Sequence, residues 1–197
     1  MNNNYKTKWS ELEKEKKYLL SKAQENKLIS FLITECGFKQ IIPTRDSIYS
    51  HNAKNSGLIL PDLLGVHNNG INYFIELKSK NRRMKYNDNG IDYDKAEQYL
   101  EVQEAFQMKV LLVFIDDEKE WIKENPSVNS WFKDEKGECT YYGNWIEKLY
   151  YETPENKVTI TSDNKGTKII CFPLSNMRKI KDIFQERQTK LRFGIIE

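Results

Sequence analysis

Two acids and a lysine stand where apolar strand sequence would otherwise run on. Asp62 follows Leu58-Ile59-Leu60-Pro61, and Glu76 and Lys78 interrupt the run of Tyr73-Phe74-Ile75 and Leu77. Burying an unpaired carboxylate is costly, so acids in such company imply a partner. Side chains alternate along a strand, which puts Glu76 and Lys78 on one face and Ile75 and Leu77 on the other. Between the two runs lies the turn signal His67-Asn68-Asn69-Gly70. A hairpin turning about Asn69 sets Asp62 directly opposite Glu76, with Cβ atoms roughly 5 Å apart. A two-residue Asn69-Gly70 turn would slip the register by one and throw the acids to opposite faces. The expectation is therefore a three- or five-residue loop, or a bulge.

Two carboxylates at that distance repel each other unless a cation lies between them. Oxygen-only ligands with room for water and phosphate suit Mg²⁺, with Mn²⁺ able to substitute. A lysine two residues on reaches the same place, where it can orient or deprotonate a water. Charge neutralisation at phosphorus, a positioned nucleophile and a stabilised leaving oxygen are what phosphodiester hydrolysis needs. The acid-x-lysine triplet alone carries little information. Six others, from Glu15-Lys16-Lys17 to Asp163-Asn164-Lys165, fall in polar or helical surroundings. Glu76-Leu77-Lys78 differs in being set in an apolar strand facing another acid.

This stretch resembles the PD-(D/E)XK nuclease superfamily. Pro61-Asp62 matches the first half of its motif and Glu76-Leu77-Lys78 the second, with thirteen residues between the acids. The resemblance implies that Asp62, Glu76 and the backbone carbonyl of Leu77 hold the metal and that Lys78 serves the attacking water. It implies an acid from the first helix, for which Glu25 is the best match, and a glutamine from the helix after the motif, Gln103 in preference to Gln98. The implied activity is a Mg²⁺-dependent phosphodiesterase leaving 5′-phosphate ends, read first as a DNA endonuclease of restriction or phage type. The alternatives are a structure-specific nuclease like a Holliday-junction resolvase, or a nucleic-acid or partner-binding module without turnover. Cutting both strands needs two sites, so a homodimer is expected. Lys80, Arg82, Arg83 and Lys85 follow the motif directly and suit phosphate contacts flanking the scissile bond.

The elements that must position these groups are legible in outline. Ser10 with Glu13 and Ser21 with Gln24 are capping-box candidates for one long helix or two, ending near Gly37. Strand-like runs follow at 38–42, 58–66 and 71–79, then a helix over 94–106 with Ala96, Tyr99, Leu100, Val102 and Phe106 as its apolar side. Val110 to Ile115 has the continuous apolar character of a strand covered on both faces. A hairpin is expected from Val158–Ile160 and Lys168–Phe172, then a last helix capped by Ser175. This order of helix, three strands, helix and strand matches the superfamily core over Ser21 to Ile115. The fold expected is a single restriction-endonuclease-like α/β domain, a mixed central sheet flanked by helices. Its core spans about 18–116 and 157–190. Residues 117–156, with Trp121, Trp131 and Trp145 but little periodicity, are assigned to an insertion before the last strands.

Composition narrows the classes. With 197 residues, 39% hydrophobic and 30% charged, the chain is long enough for a real core and unlike disordered or membrane-embedded sequences. Its longest apolar run, Val110 to Ile115, is far short of a membrane span. A soluble cytoplasmic protein with no membrane role is the expectation. Three cysteines, without a CxxC, signal neither a zinc site nor a disulfide framework. Two histidines, His51 and His67, sit in expected loops and read as solvated. No GxSxG or glycine-rich phosphate loop supports a serine hydrolase or a P-loop enzyme.

Overall fold

The structure, a computed structural model, describes residues 3–44, 57–79, 88–115, 141–154, 158–160 and 168–192. One unbroken helix, α1 (Asn3–Cys36), opens the chain and stops at Gly37. Three strands follow, β1 (Phe38–Pro43), β2 (Leu63–His67) and β3 (Asn72–Ser79), then β4 (Asp88–Asp92), α2 (Tyr93–Phe106) and β5 (Val110–Ile115). The rest is β6 (Tyr142–Trp145), α3 (Ile146–Tyr151), β7 (Val158–Ile160), β8 (Lys168–Pro173), a short 3₁₀ turn at Leu174–Asn176, β9 (Arg178–Lys179) and α4 (Ile180–Arg192).

The central sheet has the order β1-β2-β3-β5-β6-β9, and β4-β8-β7 form a smaller one. Only the β3–β5 pair is parallel, as a crossover through α2 requires; the other described pairs are antiparallel. The mixed α/β architecture read from the sequence is therefore present. Both faces of the sheet are covered. On one, Tyr73, Ile75, Leu111 and Val113 pack under α1 and α4 through Leu28, Leu32, Ile180, Ile183 and Phe184. On the other, Phe74, Leu112 and Phe114 pack against α2 and α3 through Ala96, Tyr99, Val102, Ile146 and Leu149. The alternation along β3 thus sends even-numbered side chains to the α2 face and odd-numbered ones to the α1 face.

Several expectations need correction. Residues 142–151 are not part of an insertion: β6 lies inside the central sheet between β5 and β9, and α3 caps its α2 face. Tyr142-Gly143-Asn144-Trp145 lacks alternation because all four residues are buried between layers. The expected hairpin of β7 and β8 forms, but in the smaller sheet beside β4, a strand the polar residues Asp88-Asn89 had disguised. Leu58–Leu60 is not strand, and Ser175 sits in the 3₁₀ turn rather than capping α4. Cys36 and Cys171 are both buried. Burial, helped by the Glu35 carboxylate, pushes the Cys36 thiol up to about 12.

Gly143 shows how tightly β6 lies on β5. A Cβ at that position would stand 1.9 Å from the Leu112 carbonyl oxygen, a backbone atom that cannot turn aside. Gly143→Ala is therefore expected to cost at least about 3 kcal/mol, the upper range for overpacking, as a lowered urea midpoint.

Candidate active site

The β2–β3 hairpin has the register that brings the acids together. Leu63 pairs with Ile75, Leu64 with Phe74, Gly65 with Tyr73 and Val66 with Asn72. The loop is Asn68-Asn69-Gly70, closed by His67 N–H donating to the Ile71 carbonyl at 3.1 Å and Gly70 N–H to the His67 carbonyl at 3.0 Å. Gly70 has φ +80°, the left-handed residue a three-residue hairpin loop requires. Carried one step further, this register faces Asp62 with Glu76. Two reciprocal bonds lock them: Asp62 N–H donates to Glu76 Oε2 at 3.0 Å, and Leu77 N–H to Asp62 Oδ2 at 3.1 Å. Both acids are buried, 6% and 4% exposed.

The next step of the register faces Pro61 with Leu77. Bonded pairs in this ladder fall on the odd positions, as the His67–Ile71 bond shows, so Leu77 turns its N–H and C=O toward β2. Phe74, of the other parity, donates instead to Lys109 at the entry of β5. Pro61 has no N–H, so this register would give the Leu77 carbonyl no ladder donor from it. This is a donor set of two carboxylates and a peptide carbonyl, the oxygen chemistry that Mg²⁺ prefers, and the residues fit that ion.

Thr44, just past β1, holds the acid's backbone in place. Its N–H donates to the Asp62 carbonyl at 2.9 Å and its hydroxyl to the Pro61 carbonyl. Thr44→Val keeps the shape and removes the buried hydroxyl bond. It is expected to cost about 1–2 kcal/mol in urea denaturation.

Lys78 completes the cluster. Its Nζ is paired with Glu76 Oε1, and its side chain is 17% exposed. It also stands 5.9 Å from the centroid of the Tyr99 ring on α2. Glu76 is held above the usual carboxylate range, first by burial and further by the Asp62 charge. The Lys78 charge and hydrogen bonds from Lys78 and Tyr99 oppose that rise without cancelling it. Two buried acids tied face to face beside one ammonium form an oxygen-rich site of the kind that suits a divalent cation.

The remaining candidates fall elsewhere. Gln103 is committed at the far end of β5: its amide donates to Glu147 Oε2 at 2.6 Å and accepts from Val110 N–H at 3.2 Å. Glu147 is held low; burial alone would raise it, but bonds from Lys109 and Gln103 prevail. The expected place of Gln103 beside Glu76 is thus corrected, and Tyr99, one turn earlier on α2, stands there instead. Gln98 is half-buried on the same helix. Glu25 is buried on α1, paired with Lys22 at 2.9 Å. Its helix covers the face opposite to that on which Asp62 and Glu76 project. Among the described residues no three His, Cys, Asp or Glu side chains are gathered closely enough to hold a metal ion, so Glu25 is not brought to the pair. Lys80, Arg82, Arg83 and Lys85 lie outside the described residues.

His67, expected in a solvated turn, is 1% exposed and stacked on Phe184. Asn69 N–H donates to its Nδ1, so Nε2 carries the proton and donates to the Cys36 carbonyl at 2.8 Å. It pins the hairpin turn to the end of α1. Tyr99, which touches both Glu76 and Lys78, is the neighbour of the acid pair that sequence reasoning missed, because a tyrosine on an apolar helix stripe looks like core packing. Among the described residues no helix is long and apolar enough to cross a membrane.

No protein-family model matches the chain, and no curated protein matches it. Among solved structures the chain is similar to Hjc of Archaeoglobus fulgidus, a Holliday junction resolvase from an archaeal hyperthermophile, at 13% identity and a TM-score of 0.46, over 81% of this chain and 96% of that one. It is also similar to a nuclease from a fusselovirus, at 14% identity and a TM-score of 0.43, over 85% of this chain and 87% of that one.

Proposed function

We propose that this chain is a Mg²⁺-dependent nuclease that hydrolyses phosphodiester bonds in DNA, with Mn²⁺ able to substitute. The observation that carries the reading is the hairpin register: it sets two buried carboxylates face to face, with the Lys78 ammonium beside them and the Leu77 carbonyl opposite a proline. Asp62, Glu76 and the Leu77 carbonyl would hold the ion. When bound, the ion supplies charge neutralisation at the scissile phosphate and polarises the attacking water. Asp62 and Glu76 fix where that charge sits, because each is tied to the other strand's backbone. Lys78 holds the attacking water by its ammonium protons and keeps positive charge beside the forming oxyanion. The cations at 80–85 would grip flanking phosphates, adding affinity and salt sensitivity without reading sequence.

A restriction or phage-type endonuclease and a structure-specific, resolvase-like nuclease differ in the DNA form they cut, so both forms are offered as substrate. Purified protein is incubated with supercoiled plasmid and with a four-way-junction oligonucleotide, in Mg²⁺, Mn²⁺ or EDTA, alongside Glu76→Ala. Cleavage abolished by EDTA and by the substitution supports the proposal, and the preferred substrate assigns its type. Binding without cleavage under every metal condition points to a non-catalytic module. Cleavage that survives Glu76→Ala rules the site out.

A further inference from the structure

Glu76 has two oxygens and both are engaged. Oε2 accepts the Asp62 N–H at 3.0 Å, a bond that fixes the hairpin, and Oε1 holds the Lys78 ammonium. Of the two, Oε1 is the one whose partner, the Lys78 side chain, can move without unfastening the hairpin. In this state the lysine is the site's own counter-ion. Loading a divalent cation requires the ammonium to leave Oε1 without leaving the site, since it must still attend the attacking water.

Among the described residues the Tyr99 ring offers a destination. The ammonium already lies 5.9 Å from the centroid of the Tyr99 ring, within the range at which an aromatic face attracts a cation. Tyr99 is 2% exposed and packed in the α2-side core, so the ring cannot follow the lysine outward. A buried tyrosine hydroxyl needs a polar partner, and this one donates to the Glu76 carboxylate. One side chain thus touches both the acid and the ammonium that are to separate.

We propose that Tyr99 is a positioning residue of the metal site: on loading, the Lys78 ammonium withdraws from Glu76 Oε1 onto the Tyr99 ring face, while the Tyr99 hydroxyl keeps Glu76 aimed. This rests on the nuclease reading of the site. Ring and hydroxyl have separable duties. The ring lowers the cost of moving Lys78 and so favours metal uptake. The hydroxyl orients a ligand oxygen and so favours turnover.

The test is calorimetric titration with Mn²⁺ of the wild type, Tyr99→Phe, Tyr99→Leu, Lys78→Met and the Lys78→Met/Tyr99→Leu double variant, with steady-state cleavage in parallel. Tyr99→Leu is expected to weaken Mn²⁺ binding about fivefold, the scale of a partly desolvated cation–π contact. In the Lys78→Met background the same change is expected to have no effect, because no ammonium remains to be seated. Tyr99→Phe is expected to bind Mn²⁺ within about twofold of wild type, with kcat down roughly tenfold and KM for DNA unchanged, the cost of one hydrogen bond to a charged group. Equal weakening by Tyr99→Leu in both backgrounds, or none in either, overturns the proposal. Should the leucine variant not fold, Tyr99→Phe decides it alone: unchanged kcat overturns, and a fall in kcat at constant KM supports. Wild-type protein that takes up no Mn²⁺ in an Asp62-dependent way overturns the nuclease reading together with this inference. Mn²⁺ uptake that ignores Tyr99 overturns the inference alone.

Discussion

Glu76→Gln is expected to lower cleavage by at least about a thousandfold while leaving DNA binding near wild type, a loss of about 4 kcal/mol in transition-state stabilisation. The substitution preserves volume and one oxygen to accept the Asp62 N–H, so the hairpin register survives while the negative charge and the acceptor for Lys78 are removed. Its second signature is in stability. The folded protein holds the Glu76 carboxyl above the usual carboxylate range, chiefly through burial. A group raised on folding binds its proton more tightly in the native state than in the unfolded one. Its contribution is fully present below the unfolded value and is lost as pH rises through the folded one. Metal-free wild type should therefore lose stability relative to Glu76→Gln as pH climbs through and above the usual carboxylate range, as seen in urea midpoints taken in EDTA. Parallel pH profiles would remove the case for a strained, buried acid. Cleavage should fall off in acid at a higher pH than an ordinary carboxylate would give, because proton and metal compete for the same oxygens.

That the pair was legible at all follows from the period of a strand. Asp62 and Glu76 have thirteen residues between them, and a hairpin loop of odd length puts them on one face. Gly70, with its positive φ, enforces that length, and the apolar residues around the acids betray burial. Layer order was legible for the same reason: Val110–Ile115 could only be a strand covered twice, and it is. What failed has physical causes too. Gln103 is what the resemblance implies on this helix, but α2 runs antiparallel to β3 and β5. At about 1.5 Å per residue, four residues past Tyr99 put Gln103 beside Val110 and clear of Glu76. Glu25 lies on α1, on the wrong side of the sheet, which no helix pattern reveals. β4 and β6 were missed because buried polar residues such as Asn89 and Asn144 carry strand pairing without apolar alternation. Asn89 spends its amide on the Tyr142 hydroxyl at 3.0 Å, and Asn144 on the Asn176 carbonyl at 2.8 Å.

Lys78→Met should separate two properties that usually fall together. The ammonium occupies Glu76 Oε1, so any divalent cation must displace it and then tolerate it nearby. Methionine matches the four-atom apolar stem of lysine and lacks only the terminal nitrogen, so the charge goes with little change of shape. Mn²⁺ affinity is expected to rise about tenfold, the scale of removing one like charge at a screened, part-buried site. Cleavage is expected to drop at least about a hundredfold, because no other ammonium is fixed beside the site among the described residues to hold the water. A variant that binds its metal more tightly yet turns over poorly marks Lys78 as a group acting on the reacting atoms. If Lys78 instead served only to neutralise Glu76, losing it would cost stability and metal would restore both fold and activity. Calorimetry with single-turnover cleavage distinguishes the two, since tighter Mn²⁺ with restored cleavage contradicts the water-positioning role. Weaker Mn²⁺ in Lys78→Met contradicts the placement of the ammonium on the ligand oxygen, and with it the reason this hairpin puts a lysine two residues after an acid.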